Sequence, residues 1–145
     1  LDTIATIRIN GSQVAETDNM FRTWEFNVKS FLKRGFNTIE IEFRAPLEYL
    51  KKKEEKNCKL PGGADHRLNS GAWIRKEPCN FGWDWGPKLP TSGIWRDIQL
   101  LGYNTARLTD VHILQDHISD NKVNLKIKSK VEKTNPKNLI IKMKV

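Results

Sequence analysis

The stretch ATIRINGSQVAE at residues 5–16 decides the fold class of this 145-residue chain. Apolar side chains occupy every second position from Ala5 to Ile9, which is the period of a β-strand with one buried face. Asn10-Gly11 follows, and this dipeptide is the strongest short sequence signal for a two-residue β-hairpin. The stretch therefore predicts two antiparallel strands, the second of them near residues 13–16.

The same alternation recurs along the chain and predicts an all-β architecture. A helix is expected from Pro46 to Lys56, with proline in its first turn, and a long loop from Cys58 to about Gly71. We predict an antiparallel β-sandwich or jelly roll over residues 1–103 and the first strands of a second sandwich over residues 104–145. Further strands are expected at residues 23–28, 38–43, 72–76, 94–101, 108–114, 122–131 and 139–145.

Composition places the chain among ordinary globular proteins. Hydrophobic residues make up 38% and charged residues 29%, which differs from a disordered chain. No apolar run approaches the roughly eighteen residues that span a bilayer, so no membrane partner is expected. The chain opens directly on a strand pattern, without Met or a signal peptide. We therefore expect a piece of a longer protein. Cytoplasmic localisation is the default, with a lysosomal or secreted parent left open.

A net charge of +8 and a pI near 9.6 suggest a nucleic-acid partner, but the arrangement of the charges argues against one. Residues 122–145 hold eight lysines and one acidic residue, and near Lys126 and Lys128 the lysines alternate with apolar side chains. That spacing is typical of the wet face of a strand. The chain has neither an aromatic RNA-stacking motif nor a glycine-rich phosphate loop. We predict a solvated face and no nucleic-acid binding.

The cysteines and histidines predict no metal site, no cofactor and no nucleophilic centre. Cys58 and Cys79 lie twenty-one residues apart, without a C-x-x-C pair or a histidine at ligand spacing. Both are expected to be free thiols. The three histidines are scattered, and none has a nearby serine or cysteine in a pattern that indicates catalysis.

The segment FGWDWGP at residues 81–87 is the strongest candidate for a binding function. Indole rings such as those of Trp83 and Trp85 pack on the C–H face of a sugar, while a carboxylate such as Asp84 accepts hydrogen bonds from neighbouring hydroxyls. Pro87 stiffens the backbone beside them. A competing interpretation makes both indoles core side chains and Asp84 the cap of a turn.

Several segments together resemble the N-terminal domain of β-mannosidases of glycoside hydrolase family 2. They are VAETDNMF at residues 14–21, IRK at 74–76, FGWDWGP at 81–87, PT at 90–91 and GIWRDI at 93–98. The resemblance covers residues 1 to about 103, and its aromatic segment is the part most specific to the β-mannosidase branch. Within it we expect Trp95 to be a core indole and Asp97 a carboxylate at a strand end.

The resemblance implies a retaining exo-glycosidase built from a jelly roll, an immunoglobulin-like sandwich and a catalytic (β/α)₈ barrel. Retaining hydrolysis needs two carboxyl groups about 5–5.5 Å apart, and in the family both lie on the barrel. This chain is therefore expected to hold no catalytic residue. Residues 1–103 would be part of the galactose-binding-domain-like jelly roll, and residues 104–145 the first strands of the immunoglobulin-like sandwich. The chain would bind a terminal mannose through Asp84, walled by Trp83 and Trp85. Arg75 would orient or neutralise Asp84, or else be a surface arginine on a strand. The implied partners are a mannose-containing oligosaccharide and the catalytic barrel of the same polypeptide.

Two other functional classes fit the residues less well. The first is a stand-alone carbohydrate-binding module, since jelly rolls host many lectin-like functions. The second is a basic module for protein or nucleic-acid interaction. The incomplete second sandwich after Tyr103 favours the β-mannosidase interpretation, because a natural module would end at a completed domain.

Overall fold

The predicted N-terminal hairpin is present in the computed structural model, which describes residues 1–58, 71–135 and 138–144. Strand β1 (Ile4–Ile9) pairs antiparallel with β2 (Ser12–Asp18). Asn10 and Gly11 have φ values of 52° and 79°, the two left-handed residues that a type I′ turn requires. The pairing moves from Ile7↔Ala15 to Arg8↔Gln13, which leaves Val14 as the extra residue of a β-bulge.

A third strand completes the sheet, in the order β2-β1-β3. Strand β3 (Ile39–Phe43) lies antiparallel to β1, with Ile7 opposite Ile41. The Asn10 side chain fixes the connection before β3, because it donates to the Phe31 carbonyl at 2.8 Å and accepts from the Thr38 amide at 3.1 Å. One residue thus shapes the hairpin turn and holds the chain that leads back to the sheet.

Helix α1 (Pro46–Lys56) has the predicted bounds and contributes the centre of a small core. Pro46 occupies the first turn, where its missing N–H needs no partner. Leu50 is fully buried and clusters with Ile74 and Phe81. Three half-buried side chains pack against this cluster: Ile4, Tyr49 and Trp73. The core therefore joins β1, α1 and the segment that leads to the Trp-Asp-Trp sequence.

The chain divides into two compact units, Leu1–Ile98 and Gln99–Val145. In the second unit, β4 (Ala106–Ser119) and β5 (Lys122–Lys133) form one long antiparallel hairpin around Asp120-Asn121. Lys126, Lys128 and Lys130 lie at alternate positions of β5 and are all exposed, in agreement with the predicted solvated face. The assignment of this unit to an immunoglobulin-like sandwich stays a prediction.

A cross-strand ion pair stabilises the open end of this hairpin. Arg107 lies opposite Glu132 and donates from Nε to its carboxylate at 2.8 Å, and the Tyr103 hydroxyl donates to the same oxygen at 3.3 Å. The hydrogen bond from Arg107 is the main reason that the pKa of Glu132 lies below its ordinary value of 4.5. The carboxylate therefore stays charged to lower pH than a free glutamate.

Four predicted strands are absent from the structure. Residues 23–28 form no strand; there Trp24 stacks on Phe26 with ring centroids 6.1 Å apart, and its indole N–H donates to the Asn19 carbonyl. Residues 72–76 form no strand, since among them only Arg75 makes an isolated bridge, and residues 94–101 form none either, although the preceding Gly93 makes one. Residues 138–144 also form none. Apolar and polar residues alternate in these segments, but among the described residues no neighbouring strand pairs with them.

Three further outcomes concern the loop after α1, the membrane and the cysteines. The predicted long loop falls mainly on residues 59–70, which lie outside the described residues. Within the described ranges, no helix combines the length and apolar character needed to cross a membrane. Cys58 and Cys79 are free thiols, as predicted.

Candidate functional site

The Trp-Asp-Trp sequence forms the tip of a loop that we define as residues 77–92 and call the Trp loop. At its tip, the Gly86 amide donates to the Trp83 carbonyl at 3.4 Å, and the Trp83 amide donates to the Gly86 carbonyl at 3.2 Å. This reciprocal pair closes a four-residue turn with Asp84 and Trp85 at its two central positions. All three side chains of the sequence are exposed, Trp85 to 73% and Trp83 to 49%. Neither indole is a core side chain of the described unit.

Phe81 and Gly82 carry the chain from the core to this tip. A 3₁₀ helix (Pro78–Phe81) ends with Phe81 fully buried in the core cluster. Gly82 then adopts a φ of 113°, and a Cβ at this position would lie 2.7 Å from Cγ of Lys88. Both the dihedral angle and the close approach require glycine. The buried ring fixes the base of the turn, and the glycine permits the sharp change of direction above it.

Both stems of the Trp loop are held by the N-terminal part of the chain. Before the loop, the Met20 amide donates to the Arg75 carbonyl at 2.9 Å, and the Glu77 amide donates to Sδ of Met20 at 3.0 Å. After the loop, Gly93 and Asp2 exchange two backbone hydrogen bonds of 2.8 Å each. These contacts replace the two flanking strands that the sequence predicted.

The predicted site residues are brought together only in part. Trp83, Asp84 and Trp85 share the tip, whereas Arg75 lies on the stem with its backbone bridged to Asn19. Among residues 1–58, 71–135 and 138–144, no hydrogen bond or ion pair joins Arg75 to Asp84. The contact through which Arg75 was expected to orient Asp84 is therefore not formed in this structure.

The expectations for Trp95 and Asp97 were wrong. Trp95 is 43% exposed and carries the Arg96 guanidinium 4.2 Å above its ring, so it is not a core indole. Asp97 is exposed and lies in a segment without strand structure. The reason is the same for both: within the described part of the chain, residues 94–101 pair with no strand, and the neighbouring bridge ends at Gly93.

The sequence interpretation missed a buried ion pair at the base of the Trp loop. Nζ of Lys76 donates to Oδ2 of Asp2, and both residues are buried. A buried lysine is uncommon unless it is paired. The two residues are 74 positions apart, and no local sequence pattern relates them. One weak signal for the burial of Lys76 was available: Lys76 lies on the alternating strand pattern that starts at Ala72.

The chemistry of the tip is that of hydrogen-bond acceptance beside aromatic surface. The described part of the chain contains no cluster of three or more His, Cys, Asp or Glu side chains that could hold a metal ion. Two cavities of about 440 and 360 Å³ lie elsewhere, beside β1 and α1, and neither includes a residue of the Trp loop. The tip is thus a protruding element, suited to form one side of a binding site.

Comparison with known proteins agrees with the resemblance. Residues 1–96 match the family described as glycosyl hydrolase 2 galactose-binding domain-like. A bovine β-mannosidase is 36% identical over 138 residues, covering 89% of this chain, and β-mannosidase B of Aspergillus clavatus is 36% identical over 122 residues, covering 81%.

A solved structure adds agreement in three dimensions. The β-D-mannosidase of Dictyoglomus thermophilum superposes with a TM-score of 0.81 at 40% identity, over 91% of this chain. The chain spans 15% of the bovine protein, 14% of the Aspergillus protein and 16% of the Dictyoglomus protein. The all-β sheet, the matched residues and the superposition lead to one conclusion: the chain belongs to the galactose-binding domain-like family of glycosyl hydrolase 2.

Proposed function

We propose that this chain is the non-catalytic N-terminal portion of a retaining exo-β-mannosidase and supplies the Trp loop to the pocket for a terminal β-D-mannose. One observation carries the proposal: Trp83, Asp84 and Trp85 are exposed together at the tip of a loop whose two stems are fixed. The names of the relatives supply the sugar, since those proteins are β-mannosidases.

In this role Asp84 accepts hydrogen bonds from two neighbouring hydroxyls of the mannose. A carboxylate is an acceptor only, so each hydroxyl must donate to it, and such charge-assisted bonds are stronger than neutral ones. Trp83 and Trp85 present apolar faces against the C–H surface of the ring. Arg75 contributes only if substrate binding brings its side chain toward the sugar. We keep Arg75 as a proposed substrate-binding residue, although it does not contact Asp84 in this structure.

Recognition of hydroxyls by a charged acceptor explains why this loop would select one epimer. A sugar that lacks a hydroxyl at the expected position leaves the carboxylate without its partner, and an unpaired buried polar group is costly. The bond-breaking carboxyl pair, which retaining hydrolysis places about 5–5.5 Å apart, belongs to another part of the parent protein in this proposal.

The test is Asp84→Ala in the full-length protein that carries this chain. Loss of a charged acceptor costs about 1.5–3 kcal/mol. We therefore expect kcat/KM for a β-mannoside to fall roughly ten- to several-hundred-fold, since each 1.4 kcal/mol is tenfold. Thermal stability should change little, because Asp84 is exposed and outside the core. Asp84→Asn should lose less activity, since one acceptor oxygen remains.

Asp97→Ala is the matched control, because Asp97 is also an exposed acid of the first unit but lies outside the Trp loop. It should leave kcat/KM within about twofold of wild type. An Asp84→Ala variant that also stays within about twofold, or one that unfolds, would favour the competing interpretation of Asp84 as a turn cap.

Cytoplasmic localisation remains a prediction that cell fractionation of the parent protein would test.

A further inference from the structure

We propose that Asp2 is a positioning residue that holds both stems of the Trp loop at once and so sets the place of its tip. The inference rests on the proposed function for its consequence in substrate binding. We call the contacts of Asp2 with the two stems the clamp, and its effect on the loop can be measured without any substrate.

The first half of the clamp is the backbone of Asp2. Its amide donates to the Gly93 carbonyl at 2.8 Å, and its carbonyl accepts from the Gly93 amide at 2.8 Å. Two bonds to one residue define its orientation as well as its distance. Because Gly93 directly follows the Trp loop, this bridge fixes the point at which the loop returns to the fold.

The second half is the Asp2 side chain. Its Oδ2 accepts from Nζ of Lys76, the residue directly before the Trp loop, and its Oδ1 accepts from the Thr3 hydroxyl. Thr17 on β2 donates in turn to the Thr3 carbonyl at 3.0 Å. Lys76 is 3% exposed and Asp2 6% exposed, so the ion pair is shielded from water. The two carboxylate oxygens tie the loop entrance to β1, and the threonines extend the network to β2.

This arrangement suits positioning more than it suits stability. A buried ion pair has to overcome the cost of removing both charges from water, and a well-packed apolar pair is often as stable. What the ion pair provides is a fixed direction and distance. Phe81 and Met20 hold only the entrance side of the loop, whereas Asp2 contacts both Lys76 at the entrance and Gly93 at the exit. Asp2 thus sets the separation of the two stems.

The experiment measures amide hydrogen exchange in the full-length protein for peptides covering residues 77–92 and, as an internal reference, residues 39–56. The variants are Lys76→Met, Asp2→Asn and the double variant, which leaves no buried charge unpaired. The matched control is Arg8→Met. It removes the exposed Arg8–Glu42 ion pair of 2.7 Å in the same sheet without touching the loop stems.

We expect exchange over residues 77–92 to become at least about tenfold faster in the double variant, equivalent to about 1.4 kcal/mol of opening free energy. Residues 39–56 should keep their protection, and Arg8→Met should change neither peptide. KM for a β-mannoside should rise about tenfold in the double variant, with kcat changed less. The single variants should behave similarly but lose melting temperature, because each leaves a buried group unpaired.

Unchanged exchange over residues 77–92 in the double variant would overturn the proposal. An equal increase over residues 39–56 would also overturn it, because the pair would then serve general stability. If the wild-type protein does not hydrolyse β-mannosides, the proposed function fails, whereas the exchange data still decide whether Asp2 holds the loop. If a single variant does not fold, the double variant supplies the decisive result.

Discussion

Replacing Gly82 by alanine tests whether the geometry below the loop tip is as constrained as the structure indicates. The φ of 113° at Gly82 lies in a region that L-residues rarely adopt, and such strain costs of order 1–3 kcal/mol. The new Cβ would also lie 2.7 Å from Cγ of Lys88, so that side chain must move. Because a lysine stem can rotate, we assign most of the cost to the backbone and expect about 1–3 kcal/mol of destabilisation.

Gly86→Ala is the matched control, since a Cβ there meets nothing within 4 Å and Gly86 is not among the positive-φ glycines. It should be neutral or stabilise by up to about 1 kcal/mol, because alanine restricts the unfolded chain. The double variant Gly82→Ala/Lys88→Ala separates the two contributions. If the backbone dominates, removing the Lys88 stem restores little of the lost stability.

The assay is urea unfolding of the chain followed by tryptophan fluorescence. With a slope of about 1–2 kcal/mol per molar urea, Gly82→Ala should lower the midpoint by roughly 0.5–3 M relative to wild type. A Gly82→Ala midpoint indistinguishable from that of Gly86→Ala would refute the reasoning. Full recovery in the double variant would show instead that contact with Lys88, and not the dihedral angle, is the constraint.

Three further predictions concern hydrolysis by the chain, nucleic-acid binding and the pKa of Glu132. The purified 145-residue chain should not hydrolyse a chromogenic β-mannoside, because the proposal places the catalytic carboxyl pair elsewhere; turnover that survives repurification would contradict this. The chain should bind neither single-stranded RNA nor duplex DNA with sub-micromolar affinity at physiological salt, since the β5 lysines described above are spread along an exposed strand; a titration at two salt concentrations checks it. The pKa of Glu132, followed by NMR, should lie below 4.5 and rise in Arg107→Ala. The contribution of that pair to hairpin stability is full above pH 4.5 and is lost as the pH falls through the lowered pKa.

Local sequence patterns predicted the elements that depend only on neighbouring residues. The hairpin at Asn10-Gly11 was predictable because its turn needs two left-handed residues, and α1 because Pro46 marks its first turn. Strand β3 was predicted to within one residue at its start because its alternation meets a partner strand, β1. For the hairpin turn and for α1, the deciding residues are close together in the sequence; for β3, the alternation is local but the partner strand β1 is distant.

Contacts between distant residues could not be predicted in the same way. The bridge from Asp2 to Gly93 and the ion pair from Asp2 to Lys76 join segments that share no periodicity. Local alternation alone led us to expect a strand over residues 72–76, although only one of these residues makes a bridge. The Trp loop was identifiable from its residue types, but its anchoring required the tertiary structure.

The most direct test of the account is a crystal structure of the full-length protein with a mannose-like inhibitor bound. The account predicts both Asp84 carboxylate oxygens within about 2.5–3.0 Å of adjacent sugar hydroxyls, with Trp83 or Trp85 against the C–H face of the ring. A bound sugar that makes no contact with the tip, or an Asp84 carboxylate turned back onto its own turn, would contradict the central claim.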